Sequence, residues 1–292
     1  MRREAHRLKT VPTVAVIMTC FNRRELTLSC LRSLLEQEGR LGPEEDQAGA
    51  VKGSFFQLQL YLMDDGSRDG TGEAVLDLWP SAHLLKGAGS LFWCGGMRKA
   101  WAAAGANDPD YYFLVNDDTV FRKEAVGSLL ALVGGPEAGR IAVAAVADPM
   151  SGQPSYGGVR RDGKRLVGKG DEPIRADTFN ANGVLIPRAV YRDLGGFHPA
   201  YTHAMGDYDY GFMAAKKGVE IWQSAEFLAE CPVNPETGSW RDRSLPFGKR
   251  WELLQQPKGL PWKEWAVYCR RNYGWKAPLK FFSPILRISF GR

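Results

Sequence analysis

The chain has 292 residues, of which 44% are hydrophobic and 24% are charged, and its formal net charge is +5. These fractions exclude a wholly disordered chain and provide enough apolar residues for one large α/β domain or two small ones. The modest positive charge suits an anionic ligand or an acidic membrane surface. Since charge alone does not indicate a nucleic-acid binder, we expect no nucleic-acid partner.

The five cysteines are scattered along the chain, and no two have the Cys-x-x-Cys spacing. This pattern argues against a disulfide framework and against a zinc site, and it fits a reducing compartment. The N-terminus is basic, but the apolar stretch 14–18 is too short for the core of a signal peptide. No segment approaches the ~20 apolar residues of a membrane span. We therefore expect a soluble protein of the cytoplasm.

Strands and helices alternate over the first 120 residues. Short apolar runs rich in β-branched and aromatic residues predict strands at 11–19, 56–63, 82–85 and 111–115. Helical spacing of apolar residues predicts helices at 26–37, 73–78 and 97–104, and the polar, Gly-rich stretch 38–54 predicts a long loop. Such alternation favours a mainly parallel, doubly wound α/β sheet with right-handed crossovers.

The pattern becomes mixed beyond Thr119. We predict helices at 123–133 and 188–194, strands at 141–146 and 179–186, a hairpin within 156–170, and a helix that ends near Gly218. The tail from Pro246 is basic, rich in tryptophan and expected to be helical.

Four polar clusters fall at the carboxyl ends of the four predicted strands, at residues 19–22, 64–65, 86–96 and 116–118. The carboxyl ends of parallel strands meet at one edge of a sheet, where open α/β sheets bind their ligands. The sequence therefore predicts a site of nucleotide size at this edge.

The cluster Asn116-Asp117-Asp118 contains two adjacent carboxylates, which repel each other unless a cation or hydrogen-bond donors lie between them. Mg2+ and Mn2+ prefer oxygen ligands and commonly bridge one or two carboxylates to substrate phosphates. The alternative is a solvated turn after the strand, which Asn-Asp-Asp-Thr also suits.

The second and third clusters have similar alternatives. Asp65 could accept hydrogen bonds from a ribose or a base edge, although Asp-Gly is also an ordinary turn former. The loop 86–96, with Lys86 and Arg98, could present backbone N–H groups and cations to phosphates, but it matches neither the Walker A spacing nor the dinucleotide fingerprint. Trp93 in this loop is either a stacking platform for a ring or a packing residue.

Two further carboxylates, Asp207 and Asp209, follow Gly206. A carboxylate in a partly desolvated pocket suits a general base that deprotonates a hydroxyl. The alternatives are a helix N-cap for Asp207 and a surface charge for Asp209. His203 would share a helix face with Asp207 only if the helix already began there.

Four segments (16–23, 63–67, 116–119 and 195–209) together resemble the motifs of family-two glycosyltransferases, in the same order. These enzymes have the GT-A fold, and they include many bacterial rhamnosyltransferase-like proteins. The resemblance extends from about Thr13 to Trp222 and implies a GT-A domain over 1–245, with a nucleotide-binding half at about 11–120 and an acceptor half at about 121–245. Residues 246–292 would form the basic aromatic tail.

The resemblance implies inverting transfer of a sugar from a nucleoside-diphosphate sugar to an acceptor hydroxyl, by an enzyme of the hexosyltransferase type. Asp207 falls at the position of the catalytic base, and Asp118, with Asp117 as helper, at the position that holds Mg2+ or Mn2+ on the diphosphate. The donor side would comprise Thr19, Phe21, Asn22, Asp65, Lys86, Trp93, Arg98 and Asp117. The acceptor side would comprise Asn182, His203 and Asp209.

The chain departs from the family pattern at two positions. Asn116 stands where the usual Asp-x-Asp has its first carboxylate, and Gly206 stands where the family usually has Glu. In addition, no histidine follows His203, although some GT-A enzymes use a later histidine as a metal ligand.

The predicted role is surface-polysaccharide or glycolipid assembly, with a saccharide or lipid-linked saccharide as acceptor and the tail bringing the enzyme to the inner face of a membrane. One alternative is a sugar-phosphate nucleotidyltransferase, which would have a Gly-rich, basic loop after the first strand, unlike Cys20-Phe21-Asn22-Arg23. The other is a non-catalytic scaffold protein that binds nucleotide sugars.

Overall fold

A computed structural model describes residues 11–41, 55–168 and 170–290. The basic N-terminus and most of the predicted loop 38–54 lie outside the described residues. The strands are β1 (Thr13–Cys20), β2 (Gln57–Asp64), β3 (His83–Lys86), β4 (Tyr111–Leu114), β5 (Val120–Phe121), β6 (Arg140–Ala147), β7 (Pro154–Tyr156), β8 (Gly158–Val159), β9 (Ile174–Arg175), β10 (Thr178–Phe179), β11 (Val184–Pro187) and β12 (Glu220–Glu230). The α-helices are α1 (Arg24–Leu35), α2 (Thr71–Leu78), α3 (Phe92–Gly105), α4 (Ala125–Val133), α5 (Arg188–Leu194), α6 (Gly206–Lys216), α7 (Phe247–Gln255), α8 (Trp262–Tyr273) and α9 (Ala277–Phe290).

The central sheet has the strand order β3-β2-β1-β4-β11-β6-β12-β5, with β7 and β9 paired at its side. Strands β1 to β4 are mutually parallel, and β6 is parallel to β12. Strand β11 is antiparallel to both of its neighbours, β4 and β6. A second, two-stranded sheet joins β8 to β10. The predicted α/β fold, with a mostly parallel central sheet and a smaller sheet, is confirmed.

The sheet separates two hydrophobic clusters. The side chains of β1 alternate between them, since Val14, Val16 and Met18 belong to one cluster and Ala15 and Ile17 to the other. The first cluster also receives α1, α2 and α4, and the second receives α3, α6 and α8. Apolar residues on both faces explain why β1 is an almost continuous hydrophobic run rather than an alternating one.

Helix α3 begins at Phe92, earlier than the start at residue 97 that the sequence predicts. The two glycines before Met97 have low helix propensity, which is why the pattern places the start after them. The helix approaches β1 closely at position 96, so this helical position has room only for glycine. A Cβ on Gly96 would lie 2.2 Å from Thr19 Oγ1.

The segment 156–170 contains the predicted hairpin, since Val159 bridges Arg165 in antiparallel fashion and the Leu166 N–H donates to the Gly158 carbonyl oxygen at 2.9 Å. Strand β7 pairs with β6, and β8 pairs with β10, so neither strand is the other's partner. Gly157, with φ +135, lies between β7 and β8 and lets the chain change direction there.

The predicted helical tail is confirmed as helices α7 to α9. Helix α8 packs into the same hydrophobic cluster as α3 and α6 through Trp265, Tyr268 and Cys269. In the part of the chain that the structure describes, no helix is long and apolar enough to cross a membrane.

Candidate active site

The register of the parallel strands brings three of the predicted polar clusters to one edge of the sheet. Cys20 at the end of β1 pairs with Asp64 at the end of β2, and the Asp65 N–H donates to the Cys20 carbonyl oxygen at 3.0 Å. On the other side of β1, the Val115 N–H donates to the Ile17 carbonyl oxygen at 3.1 Å. The residues that follow β1, β2 and β4 are therefore neighbours.

The two adjacent carboxylates share one guanidinium group. Arg23 Nη1 lies 2.9 Å from Asp117 Oδ1, and Arg23 Nη2 lies 2.7 Å from Asp118 Oδ2. The side chains of Asp117 and Asp118 are 7% and 15% exposed, and that of Arg23 is 41% exposed. Burial raises the pKa of Asp117 to about 7, although the Arg23 guanidinium favours the ionised form.

Arg23 is a site residue that sequence reasoning missed. It stands beside Arg24, and composition does not distinguish two adjacent arginines. Its position in the sequence could have identified it, because Arg23 is the first cationic residue after β1, at the edge where the acidic cluster was expected. Cys231 also reaches this cluster, with its Sγ 3.4 Å from Asp118 Oδ1.

The acidic pair supplies part of a ligand set for a hard cation. Across the described residues, no group of three His, Cys, Asp or Glu side chains is placed to hold a metal ion. Mg2+ is commonly bound through only one or two carboxylates, with water and substrate phosphates as the remaining ligands. The bridging position of Arg23 shows that a cation fits between these carboxylates, so Asp118 and Asp117 fit a divalent ion that a phosphate also ligates.

Asn116, which stands where the family has a carboxylate, has a defined partner within the protein. Its side-chain oxygen accepts a hydrogen bond of 2.7 Å from the Trp93 indole N–H. The Trp93 ring also packs on Phe197, with 5.3 Å between the ring centroids. Of the two alternatives for Trp93, the observed contacts are those of a packing residue that joins α3 to the end of β4.

His203 lies on the other side of the same tryptophan. Its Nδ1 accepts a hydrogen bond of 3.4 Å from the Trp93 backbone N–H. Burial lowers the pKa of His203 to about 4, so the imidazole is neutral near pH 7. Because α6 begins at Gly206, His203 does not share a helix face with Asp207.

The Asp65 carboxylate organises the loop between β3 and α3. It accepts hydrogen bonds from the backbone N–H groups of Gly89, Leu91 and Phe92 at 2.9, 2.8 and 3.1 Å. A carboxylate offers roughly four acceptor positions, so three are already used within the protein. Asp65 therefore shapes the loop, and its contact with a nucleoside stays a prediction.

The two cations of the predicted phosphate loop are placed differently. Lys86 is exposed at the end of β3, in register with Asp64. Arg98 donates hydrogen bonds to the backbone carbonyl oxygens of His198 and Tyr201. Arg98 thus holds the segment that precedes Asp207, instead of pointing its guanidinium toward the acidic pair.

The residues after β1 form the exposed part of the edge. The Phe21 ring is 49% exposed and lies beside Gly89. Asn22 has φ +51, its N–H donates to Ser67 Oγ at 2.9 Å, and its side-chain oxygen accepts from the Arg68 N–H at 2.8 Å. Thr19 is buried, and its hydroxyl donates to the Met63 carbonyl oxygen at 3.0 Å.

Asp207 lies at the N-terminal end of α6, directly after Met205 (φ +73) and Gly206. Its oxygens accept hydrogen bonds from the backbone N–H groups of Tyr208 at 2.8 Å and Ala181 at 3.3 Å. No Lys, Arg or His of the described segments forms an ion pair with it. Burial raises the pKa of Asp207 to about 6, against the stabilising effect of the two backbone N–H groups.

The first turn of α3 connects the two acidic sites. Trp93 contacts Asn116, and the Cys94 thiol donates to the His203 carbonyl oxygen at 3.1 Å. A Cβ on Gly206 would lie 2.5 Å from Cys94 Sγ, so no larger residue fits at that position without a shift. This contact explains the glycine physically and places Asp117–Asp118 and Asp207 on either side of one helical turn.

The two other residues expected on the acceptor side are committed to internal contacts. Asn182 is buried and donates to Thr119 Oγ1 at 3.3 Å and Cys231 Sγ at 3.5 Å. The side chain of Asp209 is 2% exposed and is bound by Arg271 Nε at 3.0 and 2.9 Å and by Asn272 Nδ2 at 2.7 Å. Sequence reasoning missed both partners of Asp209, which lie more than 60 positions away.

Non-glycine residues with positive φ concentrate around the candidate site. Four non-glycine residues of the described segments have positive φ, and Asn22, Phe92 and Met205 are three of them. Each begins or precedes a helix that faces the edge of the sheet, and strained residues of this kind concentrate at functional sites.

The sequence profile of glycosyl transferase family 2 matches residues 15–183, which is more than half of the chain. The chain belongs to this family. It is a glycosyltransferase, as the resemblance of its motifs implied, and the nucleotidyltransferase and non-catalytic alternatives are not supported. A search of curated protein sequences gave no significant match.

Solved structures similar to this glycosyltransferase include the mannosyltransferase PcManGT from Pyrobaculum calidifontis in complex with GDP-Man and Mn2+, at 17% identity and a TM-score of 0.55, with 96% of this chain and 70% of that chain covered. Residues 1–349 of S. aureus TarS in complex with UDP-GlcNAc align at 13% identity and a TM-score of 0.56, over 96% of this chain and 73% of that one. GalNAc-T7 with UDP, GalNAc and Mn2+ aligns at 12% identity and a TM-score of 0.57, over 94% and 54%. These similarities establish the GT-A fold.

Proposed function

We propose that this glycosyltransferase moves a sugar from a nucleoside-diphosphate sugar to an acceptor hydroxyl with inversion, and that Asp207 is the general base. The observation that carries the proposal is the pairing of two acidic sites across the first turn of α3. One site is a carboxylate pair that binds the Arg23 guanidinium, and the other is a single carboxylate without a cationic partner among the residues that the structure describes.

The donor would bind at the exposed edge formed by the residues after β1. The exposed Phe21 ring offers an apolar face to a nucleoside, and Thr19 and Asn22 flank it. Three structures with the same fold contain GDP-Man, UDP-GlcNAc or UDP, which supports this class of donor.

The Asp118 and Asp117 carboxylates would hold Mg2+ or Mn2+ at the donor diphosphate, and two of those three structures contain Mn2+. A bound divalent ion would neutralise the negative charge on the departing nucleoside diphosphate. Asp117 is buried and Asp118 is the more exposed of the two, so Asp118 is the better placed to reach a phosphate-bound ion.

Asp207 would remove the proton from the acceptor hydroxyl as that oxygen attacks the anomeric carbon and the bond to the diphosphate oxygen breaks. A base must be deprotonated to act, and a pKa of about 6 leaves Asp207 mostly ionised at pH 7 while keeping it basic enough to share a proton in the transition state. Because no cationic side chain of residues 11–41, 55–168 and 170–290 pairs with it, its negative charge remains available to the acceptor proton.

We also propose that the tail contacts a membrane surface and that the reaction belongs to surface-polysaccharide or glycolipid assembly. The enzyme would be of the rhamnosyltransferase-like type. Trp275, Leu279, Phe282 and Leu286 are 83%, 73%, 54% and 54% exposed and recur every three to four residues. Lys276, Lys280 and Arg287 lie beside them in the sequence. An apolar stripe bordered by cations suits the interface of an anionic bilayer.

A panel of nucleotide sugars, each tested with and without Mn2+, examines the central proposal. We expect slow hydrolysis of one donor, thermal stabilisation by the matching nucleotide, and a product with the opposite anomeric configuration by NMR. A retained configuration would contradict the inverting mechanism and the role of Asp207.

Vesicle co-sedimentation examines the tail. We expect the protein to bind vesicles that contain anionic lipid, and the double substitution Leu279→Ser and Phe282→Ser to weaken that binding. Equal sedimentation of the two proteins would exclude α9 as the contact.

A further inference from the structure

Arg23 occupies the position at which the proposed function requires a metal ion. Each terminal nitrogen of the guanidinium group contacts a different carboxylate, at 2.9 Å for Asp117 and 2.7 Å for Asp118. Hydrogen bonds between a charged donor and a charged acceptor are stronger than neutral ones, and the guanidinium group makes one such bond to each carboxylate. The pair therefore has a cation of its own before any ligand arrives.

The charges at this site make the guanidinium and a divalent ion competitors. When both carboxylates are ionised, they and Arg23 sum to a charge of about −1, and a divalent ion added to them would lie beside another cation within a few ångströms. The other oxygen of Asp118 already lies 3.4 Å from the Cys231 thiol. Coordination of an ion by the two oxygens that Arg23 contacts, Asp117 Oδ1 and Asp118 Oδ2, thus requires Arg23 to move.

Arg23 is able to move, and the donor would supply a new partner. Its side chain is 41% exposed, and it directly follows Asn22, whose backbone has positive φ, at the start of α1. A diphosphate at this edge has oxygen atoms that arginine binds in the same forked geometry as a carboxylate. The negative charge of the diphosphate also compensates for the presence of both cations.

We propose that Arg23 is a resident cation of the Asp117–Asp118 pair, which opposes binding of a divalent ion until the diphosphate of the donor attracts the guanidinium group. This inference rests on the proposed function, because it assumes that a nucleoside diphosphate binds at this edge. Metal ion and nucleotide then bind cooperatively, and by linkage each raises the affinity for the other by the same factor.

The substitution Arg23→Gln tests this inference without any turnover. Binding of Mn2+ to the full-length protein is measured from the EPR signal of free Mn2+, first with Mn2+ alone and then with UDP or GDP present. For the wild-type protein we expect weak binding of Mn2+ alone and at least about tenfold tighter binding with the nucleotide. For Arg23→Gln we expect Mn2+ alone to bind about tenfold more tightly than to the wild type, with a smaller gain on adding nucleotide.

Arg24→Gln is the matched control, because Arg24 is the next residue, is 51% exposed and, among the described residues, has only Glu25 at 3.9 Å as an ionic partner. We expect its Mn2+ affinity to equal that of the wild type. Arg23→Lys keeps the charge but not the fork, so its affinity for Mn2+ alone is expected to lie between those of the wild type and Arg23→Gln. Arg23→Lys also tests the role of Arg23 if Arg23→Gln has a lowered melting temperature.

Two results would overturn the inference. One is that both Arg23 variants bind Mn2+ alone no more tightly than the wild type, and the other is that Arg24→Gln changes the affinity as much as Arg23→Gln does. Failure of the proposed function is a separate outcome, since it would show as no binding of any nucleoside diphosphate of the donor panel to any variant, while the comparison with Mn2+ alone would still decide the role of Arg23.

Discussion

The two acidic sites on either side of the first turn of α3 differ in how their charge is compensated. Asp117 and Asp118 share the Arg23 guanidinium, whereas Asp207 accepts hydrogen bonds from two backbone N–H groups and has no ionic partner in the described segments. A carboxylate pair with a cation between its members suits the binding of cations and phosphates. A lone carboxylate with a raised pKa suits the removal of a proton.

The largest effect on transfer is expected for Asp207→Asn. The amide keeps the shape of the side chain but cannot take a proton, and general bases of this kind contribute about 10²–10⁴-fold to the rate. We expect kcat to fall by about 10³-fold while the affinity for the nucleotide is unchanged, measured by single-turnover transfer and by calorimetry. Asp193→Asn on α5, whose side chain is 53% exposed, is the matched control. Full activity of Asp207→Asn would show that Asp207 is not the general base and that the two acidic sites do not differ in this role.

A smaller loss is expected for Asp118→Ala. This change leaves Arg23 paired with Asp117 alone and removes the more exposed carboxylate of the pair. Metal ions contribute several kcal/mol to the stabilisation of transition-state charge, which corresponds to about 10²-fold or more in kcat/KM. Mn2+ binding should also weaken, in contrast to Asp207→Asn, for which it should not change. Asp162→Asn, on an exposed loop, is the control. Unaltered Mn2+ binding by Asp118→Ala would place the ion elsewhere.

The pH dependence of transfer should separate the two sites further. Burial raises the pKa of Asp207 to about 6, and the base acts when deprotonated, so activity is present above this pH and lost as the pH falls through it. We expect kcat to fall by about tenfold per pH unit below pH 6. Without a bound ion, burial raises the pKa of Asp117 to about 7, so protonation of this carboxylate should weaken metal binding as the pH falls below 7 and contribute to the wild-type profile.

Asp117→Asn removes that second titration. The inflection near pH 6 should remain in this variant, measured over pH 4.5 to 8.5 at saturating donor. A profile that becomes flat in Asp117→Asn would assign the inflection to the carboxylate pair instead of Asp207.

The features that the sequence predicts well are those set by local patterns. Apolar runs predicted β1, β2, β3 and β4, and the polar residues after three of them meet at one edge because parallel strands share their direction. The α/β class and the site location follow from these two regularities.

The features that could not be predicted depend on contacts between distant side chains. Nothing in the sequence distinguishes Arg23 from Arg24, since only the course of the backbone after Asn22 decides which of them reaches the carboxylates. Asp65 resembles a ligand-binding residue in its motif, but three backbone N–H groups from a loop more than 20 positions away use its oxygens. Periodicity indicates which face is buried, and it does not indicate which polar partners meet there.

The smallest effect on the reaction is expected for Arg271→Gln, which tests how the helix that carries Asp207 is held. Arg271 on α8 binds the buried carboxylate of Asp209, which lies two residues after Asp207 on α6. Breaking a buried ion pair costs about 3–5 kcal/mol and an exposed one under about 1 kcal/mol. Arg271 is 27% exposed and Asn272 remains bound to Asp209, so we expect a loss of about 2 kcal/mol in the free energy of unfolding.

Denaturant unfolding of Arg271→Gln measures that loss, with Arg270→Gln as the matched control because Arg270 is exposed on the same helix. Transfer at 25 °C should change by less than about threefold, since the backbone N–H groups of Ala181 and Tyr208 still hold Asp207. A large loss of kcat with unchanged stability would instead mean that Arg271 acts on the reaction through α6.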